Sequence, residues 1–326
     1  MRAVLALLSI AATVAAPAGA GGSAHLERLL ERIAATAGAP GAVLVAGNGA
    51  SVRSVAIGSE DREGGAPLRP GARFRIASVS KTFLAATVLR LVGEGRLELD
   101  EPVSRWLPTE LGLGRATVRQ LLNHTSGLYD GGPLEPAPGP FVYANENYEV
   151  LGRLVRAVTG QSPWQAIASR IVRPLRLAGT SWPLTARPPG LARGSAPHGN
   201  DVTARMPRVL TPADALVSTA HDLRRFLVAL LGGRLIRPRE LAAMKTAVDV
   251  GPAYRLVDER YGLGLMGFDT PCGPVWGHRG RIAGYTVFAF ATPDTARSAV
   301  VALNVGRIGD ATVARLNPLV FAALCS

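Results

Sequence analysis

A chain of 326 residues, 48% hydrophobic and 18% charged, has the material for two ordinary domains or one composite one, and this composition excludes a disordered polypeptide. Its net charge of +12 is nearly all arginine, Lys81 and Lys245 being the two lysines, a bias that GC-rich coding gives. The arginines are scattered without a basic run of five, and aromatics are only 6%, which argues against a nucleic-acid partner.

Taken in chain order, residues 1–20 read as an export signal. Arg2 is a short basic start, residues 4–16 are apolar and uncharged, and Ala18-Gly19-Ala20 is a small-residue cleavage site. The apolar stretch is too short for a comfortable membrane span, and no later segment reaches the roughly twenty apolar residues a span needs. A secreted protein without a stable membrane anchor is expected. Leu26, Leu29, Leu30 and Ile33 then lie on one face of a helix that Ser23 caps. Residues 43–46 and 52–57 read as strands around the hairpin signal Asn48-Gly49. Helical spacing follows over 78–92, 117–122, 147–158 and, from Ser162, to residue 172. Residues 181–212 read as an irregular connection, and Thr219 caps a helix reaching residue 231. Strands are expected at 261–268, 275–277, 284–291 and 298–304, and a helix at 309–325.

Strands at both ends and helices in the middle predict an α/β (α+β) fold. An antiparallel sheet flanked by helices is built from both chain ends, residues 21–85 plus 215–326, with a mostly helical insertion at 86–214. Gly262-Leu263-Gly264-Leu265-Met266-Gly267 matches the dinucleotide-binding glycine pattern. A strand follows where that fold needs a helix, so the match is set aside. There is no phosphate loop, nucleophile elbow or zinc-ligand spacing, and neither cofactor nor metal is expected.

Three elements carry chemistry. Ser78-Val79-Ser80-Lys81 places a lysine one turn after a serine on the same helix face. There an amine accepts the serine's proton or holds the group that does. Tyr143-Ala144-Asn145 offers a phenol and an amide beside that ammonium. His278-Arg279-Gly280 lies between two expected strands, with the histidine as a donor facing the cleft and the glycine admitting a substrate backbone. Taken singly, each has an ordinary explanation: a surface lysine on a capped helix, a packed tyrosine, a core histidine. Cys272 and Cys325 make one disulfide in an oxidising compartment, or are two unrelated buried thiols.

In this order and spacing the three elements resemble the penicillin-recognising serine hydrolases, the group of class C β-lactamases, secreted D-alanyl-D-alanine carboxypeptidases and related esterases. The resemblance extends through residues 74–81, 121–128, 216–220 and 261–265. It implies an acyl-enzyme on Ser78, proton shuttling by Lys81 and Tyr143, and substrate placement by Asn145. The oxyanion hole would be the backbone N–H groups of Ser78 and Arg281, with Arg279, Gly280 and Arg281 binding substrate. It also implies pairing of Cys272 with Cys325. A D-alanyl-D-alanine carboxypeptidase acting on cell-wall peptides is the leading expectation, and a monomer is expected. An esterase or β-lactamase is the alternative, and a non-catalytic penicillin- or peptide-binding module is the alternative of another class. Met266 stands where such carboxypeptidases carry a carboxylate-binding arginine, and Arg279 stands in place of a common threonine. Either the positive charge has moved to Arg279, or Arg279 and Arg281 both point to solvent and carboxylate reading is lost, which favours an esterase.

Overall fold

The structure is a computed structural model, and it describes residues 20–108, 113, 115–131, 139–197, 199–205, 211–251, 259–306 and 308–326. The expected export signal lies outside these residues apart from Ala20. Helix α1 spans Ala20–Ala37. It starts ahead of Ser23, which is therefore inside the helix rather than its cap. Strands β1 (Gly41–Asn48) and β2 (Ser51–Gly58) form the hairpin. A short β3 (Arg73–Arg75) leads into α2 (Val79–Gly93), most of whose side chains are buried. The boundary expected at residue 85 falls inside α2.

Helices α3 (Val118–Leu122), α4 (Asn145–Thr159) and α5 (Pro163–Ile167) follow. Both α3 and α5 open with a capping box, Thr117 with Gln120 and Ser162 with Gln165. A π-helical turn over Ala168–Val172 continues α5. Then come β4 (Val217–Thr219), α6 (Ala220–Leu231), capped by the Thr219 hydroxyl, and α7 (Pro238–Lys245). The chain closes with β5 (Val248–Asp249), β6 (Arg260–Tyr261), β7 (Met266–Thr270), β8 (Gly273–Ile282), β9 (Tyr285–Ala291), β10 (Arg297–Leu303) and α8 (Asp310–Cys325).

Eight strands form one antiparallel sheet in the order β2-β1-β10-β9-β8-β7-β6-β5. Pairing of β1 with β10, Ala42 opposite Leu303, joins the two ends of the chain. Because strand side chains alternate, β1 sends Val43 and Val45 into one core and Ala42 and Leu44 into the other. The first core contains α2, α4 and α6, with Phe83 of α2 stacked on Phe226 of α6. The second lies under α1 and α8. Cys272 and Cys325 form a disulfide that ties the end of α8 to the β7–β8 turn.

Two strand expectations change. The stretch 261–268 is two strands, because Gly264 turns the chain at φ +79°. A Cβ there would lie 2.5 Å from Ala85 and 2.8 Å from the Tyr148 hydroxyl, so the glycine also lets this turn rest on α2 and α4. In addition, β8 is one ten-residue strand that includes His278, Arg279 and Gly280 rather than ending before them. The pairs β3–β4 and β5–β6, and helix α7, were not anticipated; several are too short to carry a period.

Candidate active site

Ser78 is held by a sharp turn. Ala77 adopts φ +47°, a left-handed conformation rare for a residue with a side chain, and Ser78 then opens α2. Gly280 of β8 faces this turn; a Cβ would lie 2.1 Å from the Ile76 carbonyl oxygen and 3.1 Å from the Ala77 Cβ. The glycine thus admits the chain's own nucleophile segment, where a substrate backbone was expected. The backbone amide of Ser78 makes no hydrogen bond among the described residues, which leaves it available to a developing oxyanion.

Lys81 lies one turn on, with its side chain fully buried. Its Nζ is 2.7 Å from Asn145 Oδ1, 3.0 Å from Ser78 Oγ and 3.5 Å from the Ala213 carbonyl. Asn145 is itself aimed by Asp130, which accepts from its backbone N–H at 2.5 Å and from Nδ2 at 3.4 Å. The amide therefore presents its oxygen to Lys81 and its nitrogen to Asp130. Burial and the neighbouring Glu146 push the Asp130 carboxyl above the usual range. Tyr143 places its ring centroid 5.0 Å from Lys81 Nζ, with no hydrogen bond from its hydroxyl to Ser78 or Lys81. Under that ring, at 4.4 Å between centroids, lies His124. Its Nδ1 accepts from the Ala144 amide and Asn147, and burial holds it well below the ordinary imidazole range.

Around Ser78 a cleft of about 410 Å³ is lined by Phe141, Tyr143, Asn145, Asp214, Glu259, Met266, Arg279, Arg281 and Asp310. Sequence reasoning missed its three carboxylates. Asp214 Oδ1 accepts the Ser78 hydroxyl at 3.1 Å. Glu259 pairs with Arg279 at 2.8 Å, both side chains nearly inaccessible, and Asp310 pairs with Arg281 at 2.7 Å. Burial raises Glu259 above the usual carboxylate range, against the opposing pull of Arg279. Each arginine in the cleft thus already has a carboxylate partner, although Arg279 Nη1 is buried without a hydrogen bond.

His278 does not face the cleft. Its Nδ1 lies 2.5 Å from the Arg279 carbonyl and is therefore the protonated nitrogen, leaving Nε2 to accept from the Tyr261 hydroxyl at 3.0 Å. Full burial and the nearby Lys81 hold its pKa at about 3. A strand interior sends alternate residues to opposite sides. Arg279 and Arg281 line the cleft, while Gly280 meets the Ile76–Ala77 turn and His278 meets the buried Tyr261.

A serine held by a buried lysine, in a cleft between an antiparallel sheet and helices, defines a penicillin-recognising serine hydrolase. The family described as Beta-lactamase matches residues 26–322, and the chain belongs to it. Among relatives, the esterase EstB of Burkholderia gladioli is 35% identical over 172 residues, covering 40% of this chain and 44% of its own length. Penicillin-binding protein 4 of Amycolatopsis lactamdurans is 26% identical over 325 residues, covering 87% of this chain and 85% of its own. A solved D-stereospecific amidohydrolase from Streptomyces sp. is 32% identical with a TM-score of 0.79, covering 93% of this chain and 98% of that one.

Proposed function

We propose that the protein is an exported hydrolase that forms an acyl-enzyme on Ser78 and cleaves amide or ester bonds of small D-configured substrates. The observation that carries this is the Ser78 hydroxyl, within hydrogen-bond distance of the buried Lys81 amine at the floor of an open cleft. Asn145 holds Lys81, and the Ser78 and Arg281 amides would receive the carbonyl oxygen. Tyr143 would serve as a proton shuttle once substrate draws its hydroxyl inward. The preference for D-substrates rests on likeness to the Streptomyces amidohydrolase. The paired arginines favour substrates without a free carboxylate, since neither cation is left unneutralised. Export is supported by the leader-like first 20 residues and by the disulfide. Among the described residues no helix is long and apolar enough to cross a membrane.

A second reading, the D-alanyl-D-alanine carboxypeptidase, has its own observation. The unpartnered Arg279 Nη1 is a buried donor that a substrate carboxylate would satisfy. The two readings separate on one pair of compounds, a D-alanyl-D-alanine peptide and the same peptide amidated at its C-terminus. A charge-assisted bond of about 1.5–3 kcal/mol would favour the acid roughly 10- to 150-fold in kcat/KM. Equal turnover, or preference for the amidated form, assigns the amidase and esterase reading. Both require that Ser78→Ala abolish turnover and covalent labelling by penicillin, read by intact mass. Undiminished labelling of that variant would reject the acyl-enzyme altogether.

A further inference from the structure

We propose that Asp214 is a substrate-binding residue that receives a free α-ammonium group, so that the substrates of this cleft are amides or esters of D-amino acids whose amino group is unblocked. The proposal deepens the acyl-enzyme reading, rests on it, and leaves proton transfer with Lys81 and Tyr143.

The cleft is lined by the carboxylates of Asp214, Glu259 and Asp310 and by the guanidinium groups of Arg279 and Arg281. Glu259 accepts from Arg279 at 2.8 Å, and Asp310 is paired with Arg281 at 2.7 Å. Lys81 does not do the same for Asp214. An ammonium has three protons to donate, and Lys81 Nζ directs its own to the oxygens of Asn145, Ser78 and Ala213. It stays 3.8 Å from Asp214 Oδ1, beyond a hydrogen bond. Asp214 is therefore the carboxylate of the cleft that no cation hydrogen-bonds among the described residues. Its Oδ1 meets the Ser78 hydroxyl at 3.1 Å, its Oδ2 meets no donor among the described residues, and the side chain is partly open. A charged donor from the substrate would satisfy it with a bond roughly twice as strong as a neutral one.

The distance from Ser78 selects the donor. A carbonyl carbon under attack lies about 3–3.5 Å from the nucleophile. The nitrogen of an amino acid is roughly 2.5 Å from its own carbonyl carbon. An α-ammonium thus comes within reach of a carboxylate oxygen that is itself 3.1 Å from Oγ. The position is also built. The Asp214 backbone N–H donates to the Thr211 carbonyl at 3.0 Å. Two residues on, the Leu216 N–H donates to Ser80 Oγ at 3.1 Å, and the Leu216 carbonyl accepts from the Ile76 N–H at 3.0 Å. The loop before β4 is stitched to the nucleophile segment on both sides of Ser78, which fixes the carboxylate relative to the bond that is cleaved.

The same charge bears on the rate. A carboxylate beside the nucleophile opposes the negative charge that builds on Oγ as its proton leaves. A bound ammonium offsets that opposition, so the cation favours the transition state and not only the encounter.

The p-nitroanilides of D-alanine and D-phenylalanine, set against propionyl and 3-phenylpropionyl p-nitroanilide, isolate the ammonium, since each pair differs by the amine alone. With the full chain at about pH 6.5, kcat/KM for at least one amine should exceed that of its partner by about 10- to 150-fold, the weight of one hydrogen bond between charged groups. Asp214→Asn, alike in shape but uncharged, should bring that ratio to within about threefold of unity, and Asp214→Glu should keep part of it. Should neither variant fold, as read by circular dichroism, the unsubstituted protein decides. Its ratio should fall as pH rises through about 7.7–8.0, where an α-amino group loses its proton. A ratio near unity in the unsubstituted protein, a ratio unchanged in folded Asp214→Asn, a ratio indifferent to pH, or equal turnover of N-acetyl-D-alanine p-nitroanilide overturns the role of Asp214. So does failure to turn over any amine while penicillin still acylates Ser78, read by intact mass. Absence of any Ser78 adduct overturns the acyl-enzyme reading as well, so the two failures are distinguishable.

Discussion

A methyl group on Gly280 would meet the Ile76 carbonyl oxygen at 2.1 Å, a backbone atom that cannot swing aside. Gly280→Ala should therefore push β8 away from the Ala77–Ser78 turn. Overpacking of this kind costs about 1–3 kcal/mol, to be read as a lower urea midpoint, with slower penicillin acylation alongside. An unchanged midpoint and rate would mean that the turn yields freely. Lys81 and Tyr143 make a different pair. Lys81→Ala leaves Ser78 without its cation and should lower acylation by at least about 10²–10⁴-fold. If Tyr143 belongs to the same proton-transfer unit, the double variant with Tyr143→Phe will be little worse than Lys81→Ala alone. Multiplicative losses would show two independent contributions. The Ser78–Lys81 spacing was legible because a helix turn puts those residues together whatever else the chain does. The contact of Ser78 with Asp214, 136 residues away, carries no such local signature. Neither do the pairs of Glu259 with Arg279 and Asp310 with Arg281, which neutralise the cleft.

At the scale of elements, the Cys272–Cys325 disulfide is the covalent bond between α8 and the hairpin that carries β8. The two cysteines are 53 residues apart, and in the chain-entropy account closing such a loop stabilises by roughly 4 kcal/mol. The Cys272→Ala/Cys325→Ala double variant should lose up to that amount, read as a lower urea midpoint. A midpoint equal to that of the unsubstituted protein would mean that noncovalent packing of α8 on the sheet suffices. The expected helices agree with the observed ones to within a few residues, because their apolar period and their caps, Thr117, Ser162 and Thr219, are local. Strands were less legible. The β6–β7 turn depends on Gly264 meeting α2 and α4, and the full length of β8 depends on its pairing with β9 from Trp276 to Ile282.

For the whole molecule, buried neutral histidines make stability depend on pH. His278 is held at about 3 in the folded protein against an ordinary 6.5. An unfolded chain takes up that proton below 6.5 while the folded one does not. The stabilisation is therefore complete above pH 6.5 and is lost progressively as pH falls toward 3. At pH 5 the loss from His278 alone is about 2 kcal/mol, and His124, shifted the same way by burial, adds to it. Glu259 and Asp130, raised by burial, act in the opposite sense. The urea midpoint should be lower at pH 5.0 than at pH 7.5. Equal midpoints would mean that the carboxylates compensate fully or that the histidines titrate near their ordinary value when folded.

The sequence by itself determined the approach of Lys81 to Ser78, the antiparallel sheet drawn from both chain ends and the helical middle, since these follow from periodicity, capping and motif spacing. Tertiary structure alone decided which charges in the cleft are free. Arg279 and Arg281 read as available cations until folding set Glu259 and Asp310 within 3 Å of them. It also decided which remote side chain meets the serine, because the loop before β4 brings the Asp214 carboxylate to the Ser78 hydroxyl. Ion pairs and proton lines are fixed by distances of a few ångströms between groups remote in the chain, and a pattern read along one dimension contains no such distances.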